Sequence, residues 1–266
     1  MAALEVRHLS KSFGGVRAVD DISFDLQRAE LLALIGPNGA GKTTTFDMLN
    51  GQIAPDAGSV KLAGRELVGL KPREVWRLGV GRTFQITATF QSMTAIENVQ
   101  MALISAAGRT FALFAAARRL YRTEALALLE RVGMADQADR HAAELAYGDL
   151  KRLELAVALA NDPPVLLMDE PTAGMAPQER VELMRLAADI VGERGVSILF
   201  TEHDMDVVFA NADRILVLSR GKLIAEGDAE AIRADPHVRQ VYLGGGTVFK
   251  AADAAPDRRE PPAAHA

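Results

Sequence analysis

Residues 31–44 read LLALIGPNGAGKTT, an apolar run that ends in glycine and passes through a glycine-rich turn into lysine and two threonines. A continuous apolar run of this length is a strand buried on both faces, and KTTTFDMLN from Lys42 to Asn50 is helix-forming. The turn fits G-x-x-x-x-G-K-[ST], with Gly36, Gly41, Lys42 and Thr43 in place, directly between strand and helix. Glycines let such a turn curl into a nest of N–H groups, and the helix N-terminus adds positive potential. Gly36, Pro37, Asn38, Gly39, Ala40, Gly41, Lys42, Thr43 and Thr44 are therefore the candidate phosphate cradle, with Lys42 neutralising the β and γ phosphates and Thr43 ligating Mg²⁺.

Upstream, Leu4 and Val6, then Ile22, Phe24 and Leu26, alternate with polar residues, which predicts two half-buried strands joined at Gly14-Gly15. Short strands are expected at 59–62 and 80–84. From Met93 to Ala160 the strand signal fades, and LYRTEALALLERVGM (120–134) places Leu120, Leu126, Leu129 and Val132 at a helical period. Strands return at 165–169, 196–201 and 214–219, with a helix from Pro177 to Glu193 that has proline in its first turn and Glu179 and Glu182 near its positive end. The alternation predicts an α/β core with a largely parallel sheet. GGTVFKAADAAPDRREPPAAHA (245–266) is poor in apolar surface and is expected to be a disordered tail. No motif occurs twice, so one catalytic unit is expected.

Composition narrows the function. At 266 residues with 49% hydrophobic residues, the chain has enough apolar surface for one large or two small domains. Its charge balance of 30 Lys and Arg against 35 Asp and Glu gives no global positive field, so nucleic acid is not expected as a partner. With no cysteine there is no disulfide framework and no thiolate metal site. Glu5 and Arg7 stand where an export signal needs apolar residues, and none is expected. The stretch 101–117 is too short to span a bilayer and carries Arg109, whose burial in lipid costs about 2.5 to 3.5 kcal/mol. It is expected to be an alanine-rich helix turning at Gly108.

VLLMDEP (165–171) ends an apolar strand in two acids, Asp169 to hold Mg²⁺ through water and Glu170 to polarise an attacking water. Paired with the phosphate turn, it favours nucleotide hydrolysis over binding alone. Over residues 3 to 244 the chain resembles the nucleotide-binding subunit of ABC transporters. That resemblance implies a P-loop (RecA-like) core at 1–92 and 161–244 with an N-terminal antiparallel β layer, and a helical subdomain at 93–160. It also implies roles for Gln85 in RTFQ, which senses the γ phosphate, joins the metal site and touches the membrane subunit, and for the switch residue His203 in TEHD. Phe13 in KSFGG matches the aromatic that stacks on adenine. LAYGD (145–149) stands in the place of the signature, so Ala146, Tyr147 and Gly148 face the ATP of an opposing subunit.

The implied protein is an ATPase using ATP and Mg²⁺, peripheral to the cytoplasmic face of the inner membrane. It pairs with a second ATP-binding subunit, identical or homologous, on integral membrane permease subunits, and an extracytoplasmic solute-binding protein is an indirect partner. LAYG, AGMAPQE, TEHDM and the ending at 225–246 are similar to subunits for uptake of branched-chain amino acids and related small polar solutes. Two alternatives make different predictions. A soluble ABC-type ATPase acting on DNA or ribosomes predicts a second cassette, a long heptad insert or a basic surface, and a P-loop small-molecule kinase predicts a lid in place of Gln85, the signature and His203.

The chain departs from the family pattern twice. Against LSGGQ it has Ala146 for serine, Tyr147 for the first glycine and Asp149 for glutamine; against SALD it has Ala173, Gly174, Met175 and Ala176. Both bear on the half of the site offered to the opposing subunit, and neither touches the phosphate cradle.

Overall fold

A computed structural model describes residues 2–83, 89–108 and 120–243. The strand predicted at 31–35 is β3 (Leu31–Ile35), every residue of it buried. It is central in a six-stranded sheet with β6 (Val80–Thr83), β7 (Val165–Asp169), β8 (Ser197–Thr201), β9 (Arg214–Ser219) and β10 (Lys222–Gly227). The order is β10-β9-β3-β8-β7-β6, parallel except for β10 on β9. A second, antiparallel sheet joins β1 (Ala2–Phe13), β2 (Val16–Gln27), β4 (Ala57–Leu62) and β5 (Arg65–Glu66) in the order β2-β1-β4-β5.

Side-chain alternation explains why both faces of the parallel sheet are covered. Leu32 and Leu34 of β3, with Leu167, Leu199 and Leu216, meet Leu4, Val6, Ile22, Phe24 and Leu26 of the antiparallel layer. Ala33 and Ile35, with Leu166, Ile198, Phe200 and Val217, meet the helices on the other face. A period of two thus sends successive residues of one strand into two cores.

The helical face is built by α3 (Ala95–Ala106), α4 (Arg122–Arg131), α5 (Tyr147–Leu159), α6 (Pro177–Arg194) and α7 (Met205–Asn211). Thr94 opens α3 with a capping box: its hydroxyl accepts from the Glu97 N–H, and the Glu97 carboxylate accepts from the Thr94 N–H. On α6, Pro177 and Glu179 fall in the first turn as expected, and Glu179 Oε2 accepts from the Ala176 N–H at 3.0 Å. The buried face of α4 differs from the expected one. Ala125, Leu128, Leu129 and Val132 are buried at the i, i+3, i+4, i+7 spacing, while Leu126 is 41% exposed and Leu120 precedes the helix. The two adjacent leucines, 128 and 129, define the stripe, and Leu126 lies off it.

Elements not expected from the sequence are β5, the seven-residue helix Pro72–Leu78, α7, β10 and the short C-terminal helices Ala229–Ala234 and Pro236–Leu243. The expected tail, Gln85, Phe84 and Arg109 lie outside the described residues. Among the described residues, the alanine-rich helix ends at Ala106 and turns at Gly108, and no helix is long and apolar enough to cross a membrane.

Candidate active site

The phosphate turn leaves the buried end of β3 and must curl at once. Gly36 and Gly41 permit this for a steric reason: a Cβ on Gly36 would sit 2.2 Å from the Leu218 carbonyl oxygen, and one on Gly41 2.3 Å from that of Ala18. Gly41 also holds φ at 108°, which side chains other than hydrogen rarely adopt. Asn38 and Gly39 form the exposed tip, and Ala40 is buried, its carbonyl accepting from the Gly221 N–H. Pro37 accepts from the Ala40 N–H at 3.1 Å and closes the curl.

Because Gly41 is the N-cap of α1 (Lys42–Leu49) and has no side chain to cap it, the first N–H groups of the helix open into the loop. Lys42 Nζ lies inside the curl and donates to the Gly36 carbonyl at 2.7 Å. Burial pushes the Lys42 ammonium below its ordinary pKa, opposed by the negative charges of Glu170 and Asp169. Thr43 is exposed at the mouth, and Thr44 is half-buried beside it.

The acids arrive from β7 by register. Asp169 pairs with Thr201 of β8, and Thr201 Oγ1 donates to Asp169 Oδ1 at 2.7 Å. Arg82 of β6 donates to Asp169 Oδ2 at 3.2 Å and to Asp47 of α1 at 2.7 Å, so the buried carboxylate is oriented from both sides. Glu170 leaves the strand with φ of 48°, an uncommon left-handed conformation for a side-chain-bearing residue. Its N–H turns back onto Thr201, and its carboxylate accepts from His203 Nε2 at 2.7 Å. Lys42, Asp169, Glu170 and His203 are thus brought to one end of the parallel sheet from three stretches of the chain.

Phe13 ends β1 opposite Val16, two residues before the Ala18 carbonyl that supports Gly41. It is 47% exposed, with Lys11 Nζ over its ring at 5.6 Å from the centroid.

The donor set fits a nucleotide and a hard cation. Among the described residues no three His, Cys, Asp or Glu side chains cluster to hold a metal unaided. A hard cation bound here would take its remaining ligands from phosphate and water.

The signature residues lie at a helix start. Ala146 is the exposed N-cap of α5, extended and without a side-chain cap, and Tyr147 is its first residue. The Tyr147 hydroxyl donates to the Ala173 carbonyl at 3.1 Å, and a Cβ on Gly174 would meet its ring at 3.3 Å. Gly148 is buried against Glu179, whose Oε1 lies 2.7 Å from where a Cβ would stand. Asp149, a further departure, accepts from Gln137 Nε2 at 3.1 Å. The Tyr147 and Asp149 side chains are therefore bound within their own chain.

Sequence reasoning missed Thr201, Arg82 and Glu202. Glu202 is buried, accepts from the Thr172 N–H and hydroxyl and from the His203 N–H, and has its pKa raised by burial ahead of the opposing hydrogen bonds. A polar residue ending an apolar strand was the available signal for Thr201; Arg82 and Glu202 become visible only once the strand ends are aligned. A groove of about 540 Å³ also opens between the Pro72–Leu78 helix, β6, α3 and α5, lined by Trp76, Phe90, Met101, Ile104 and Val157, with Arg82 in its wall.

A phosphate cradle at the end of a parallel sheet, with paired acids at the end of the next strand but one and a histidine just beyond the strand between them, defines an ATP-binding cassette ATPase. The profile described as ABC transporter matches residues 19–173, and the chain belongs to the ABC transporter family as its ATP-hydrolysing component. A second profile, described as branched-chain amino acid ATP-binding cassette transporter, matches residues 222–247. The chain is 42% identical to the high-affinity branched-chain amino acid transport ATP-binding protein LivG of Salmonella typhimurium, over 91% of this chain and 97% of that one. It is 39% identical to the corresponding protein BraF of Pseudomonas aeruginosa over the same shares. Among solved structures, the ADP conformation of MJ1267, an ATP-binding cassette of an ABC transporter, superposes with a TM-score of 0.82 at 28% identity, covering 92% of this chain and 99% of that one.

Proposed function

We propose that this ATPase energises import of branched-chain amino acids or related small polar solutes through partner permease subunits, with Glu170 as the group that polarises the attacking water. The observation that carries the site assignment is the 2.7 Å contact between Glu170 Oε1 and His203 Nε2 above the Lys42 cradle. It holds a carboxylate acceptor near the phosphates, where a water proton can be taken up as the γ phosphoryl leaves ADP. Lys42 and the N–H groups of Gly39 and of residues 41–44 bind the phosphates, Phe13 stacks on the adenine, and His203 reads the γ phosphate. Thr43, Gln85 and, through water, Asp169 hold Mg²⁺, which when bound offsets phosphate charge.

Two copies, or this chain and a homologue, close around two ATP molecules, each offering the α5 start at Ala146, Tyr147 and Gly148 to the other. ATP drives closure because its γ phosphate contacts both subunits only in the closed state. Residues 93–160 act as the helical subdomain, and the apolar groove lined by Trp76, Phe90 and Met101 receives a permease segment on the cytoplasmic face of the membrane. The groove supports that docking because Thr83, at the end of β6 beside it, leads into Gln85. The solute class rests on the resemblance at 222–247 and on the names of the relatives.

The test is purification of the complex from membranes, identification of its permease and solute-binding protein, and uptake of labelled leucine, isoleucine and valine by vesicles holding it. ATP-dependent uptake that ceases with Glu170→Gln is expected. Hydrolysis without uptake of any of the three places the solute elsewhere.

A further inference from the structure

The last rung of the β7–β8 ladder pairs Asp169 with Thr201, and the Glu170 N–H still reaches the Thr201 carbonyl at 3.2 Å. Beyond that point the backbones separate, one into the loop 171–176 and the other towards His203. The Glu202 side chain takes over the cross-link. Its Oε1 accepts from the Thr172 N–H at 2.8 Å and the Thr172 hydroxyl at 2.7 Å, and its Oε2 accepts from the His203 N–H at 3.2 Å.

Glu202 is 4% exposed and Thr172 2% exposed. A carboxylate is a costly way to fill buried space, and it is tolerated where each oxygen is satisfied. Here the two oxygens serve two different loops, one following Glu170 and the other carrying His203. We infer that Glu202 is a positioning residue for hydrolysis: it sets the separation of the loop after Glu170 from His203, and so the meeting of Glu170 Oε1 with His203 Nε2. This rests on the reading of Glu170 and His203 given above and adds a residue that acts through Thr172 and His203.

The chemistry makes the role testable, because both ends of the link need an acceptor. Glutamine has one acceptor and one donor, so in Glu202→Gln either the Thr172 N–H or the His203 N–H faces an NH₂ group. The experiment uses the full chain and compares E202Q, T172S, T172V and E170Q. It measures kcat and KM for ATP, binding of a fluorescent ATP analogue, and the His203 ring signals by NMR of ¹⁵N-histidine-labelled protein.

E202Q is expected to lose about tenfold or more in kcat through misplacement of the reacting groups, with analogue binding within about twofold of the parent. Its His203 ring signals move. T172S, which keeps the hydroxyl, holds kcat near the parent, and T172V loses severalfold.

An E202Q kcat within about twofold of the parent beside an inactive E170Q overturns the inference, as does a loss confined to KM. If E202Q does not fold, the threonine pair decides, and equal kcat in T172S and T172V overturns it. Turnover by E170Q at the parent rate removes the reading of Glu170 instead; unmoved His203 signals in E202Q then overturn the positioning role, and displaced signals uphold it.

Discussion

The cradle half and the signature half of this site are built in opposite ways. Around Lys42, Asp169, Glu170 and His203, strand ends carry side chains into a common space and neighbouring residues orient them, Thr201 and Arg82 on Asp169 and Glu202 behind His203. At 145–149 a helix start presents backbone, while Tyr147 and Asp149 turn back to Ala173 and Gln137 of their own chain. In the first half the chemistry depends on residue type. In the second, the proposed contribution to an opposing subunit is N–H groups and helix potential, to which many sequences are equivalent. Under the proposed function, that difference accounts for a signature that departs from LSGGQ beside a cradle that keeps its pattern.

The sharpest way to break the comparison is Glu170→Gln, which keeps shape and removes the acceptor. Turnover is expected to fall roughly 10²-fold or more with ATP binding retained. Steady-state hydrolysis and ATP binding measured together check it, and activity within a few fold of the parent would return Glu170 to a structural role. Next in size, Lys42→Ala removes a charge-assisted phosphate contact worth about 1.5 to 3 kcal/mol. Since burial disfavours its charged form in the folded chain, the melting temperature without ATP is expected to hold. A variant that gains as much thermal stability from Mg-ATP as the parent does counts against the cradle.

On the signature side the effects are smaller and concern the fold. Tyr147→Phe removes the hydroxyl that meets the Ala173 carbonyl, a loss of about 0.5 to 1.5 kcal/mol, read by denaturant unfolding. Ala146→Ser places a favoured residue at an N-cap that lacks one and is expected to stabilise the chain by about 1 kcal/mol. If ATP-dependent dimerisation in the Glu170→Gln background strengthens tenfold while stability is unchanged, the serine hydroxyl acts across the interface and the proposed division between halves fails.

The smallest effect lies at the C-terminal end. Burial raises the pKa of Tyr242 above its ordinary value of 10.0. Its contribution to stability is full below pH 10.0 and is lost as pH rises further, because the unfolded chain ionises first. Tyr242→Phe should therefore flatten the fall in melting temperature above that pH, and an unchanged alkaline slope would contradict the assignment.

The strands at 31–35 and 165–169 were legible to the residue because full burial demands an unbroken apolar run, and glycine or acids mark where each run stops; 214–219 was legible from its apolar centre Ile215–Leu218, bounded by Arg214 and Ser219. The cradle was legible for a related reason: its donors are backbone groups of consecutive residues, so a local pattern specifies the whole feature. The helix at Pro72–Leu78 and the C-terminal helices were not, since each is about two turns or less and draws its stability from packing. What only the tertiary structure decided is which side chains hold the reactive ones. Thr201 faces Asp169 because two strands 32 residues apart share a register, Arg82 reaches Asp169 across 87 residues, and Glu202 links Thr172 to His203 where the ladder ends. Such contacts join positions remote in the chain, and no local pattern of residues encodes the distance between them.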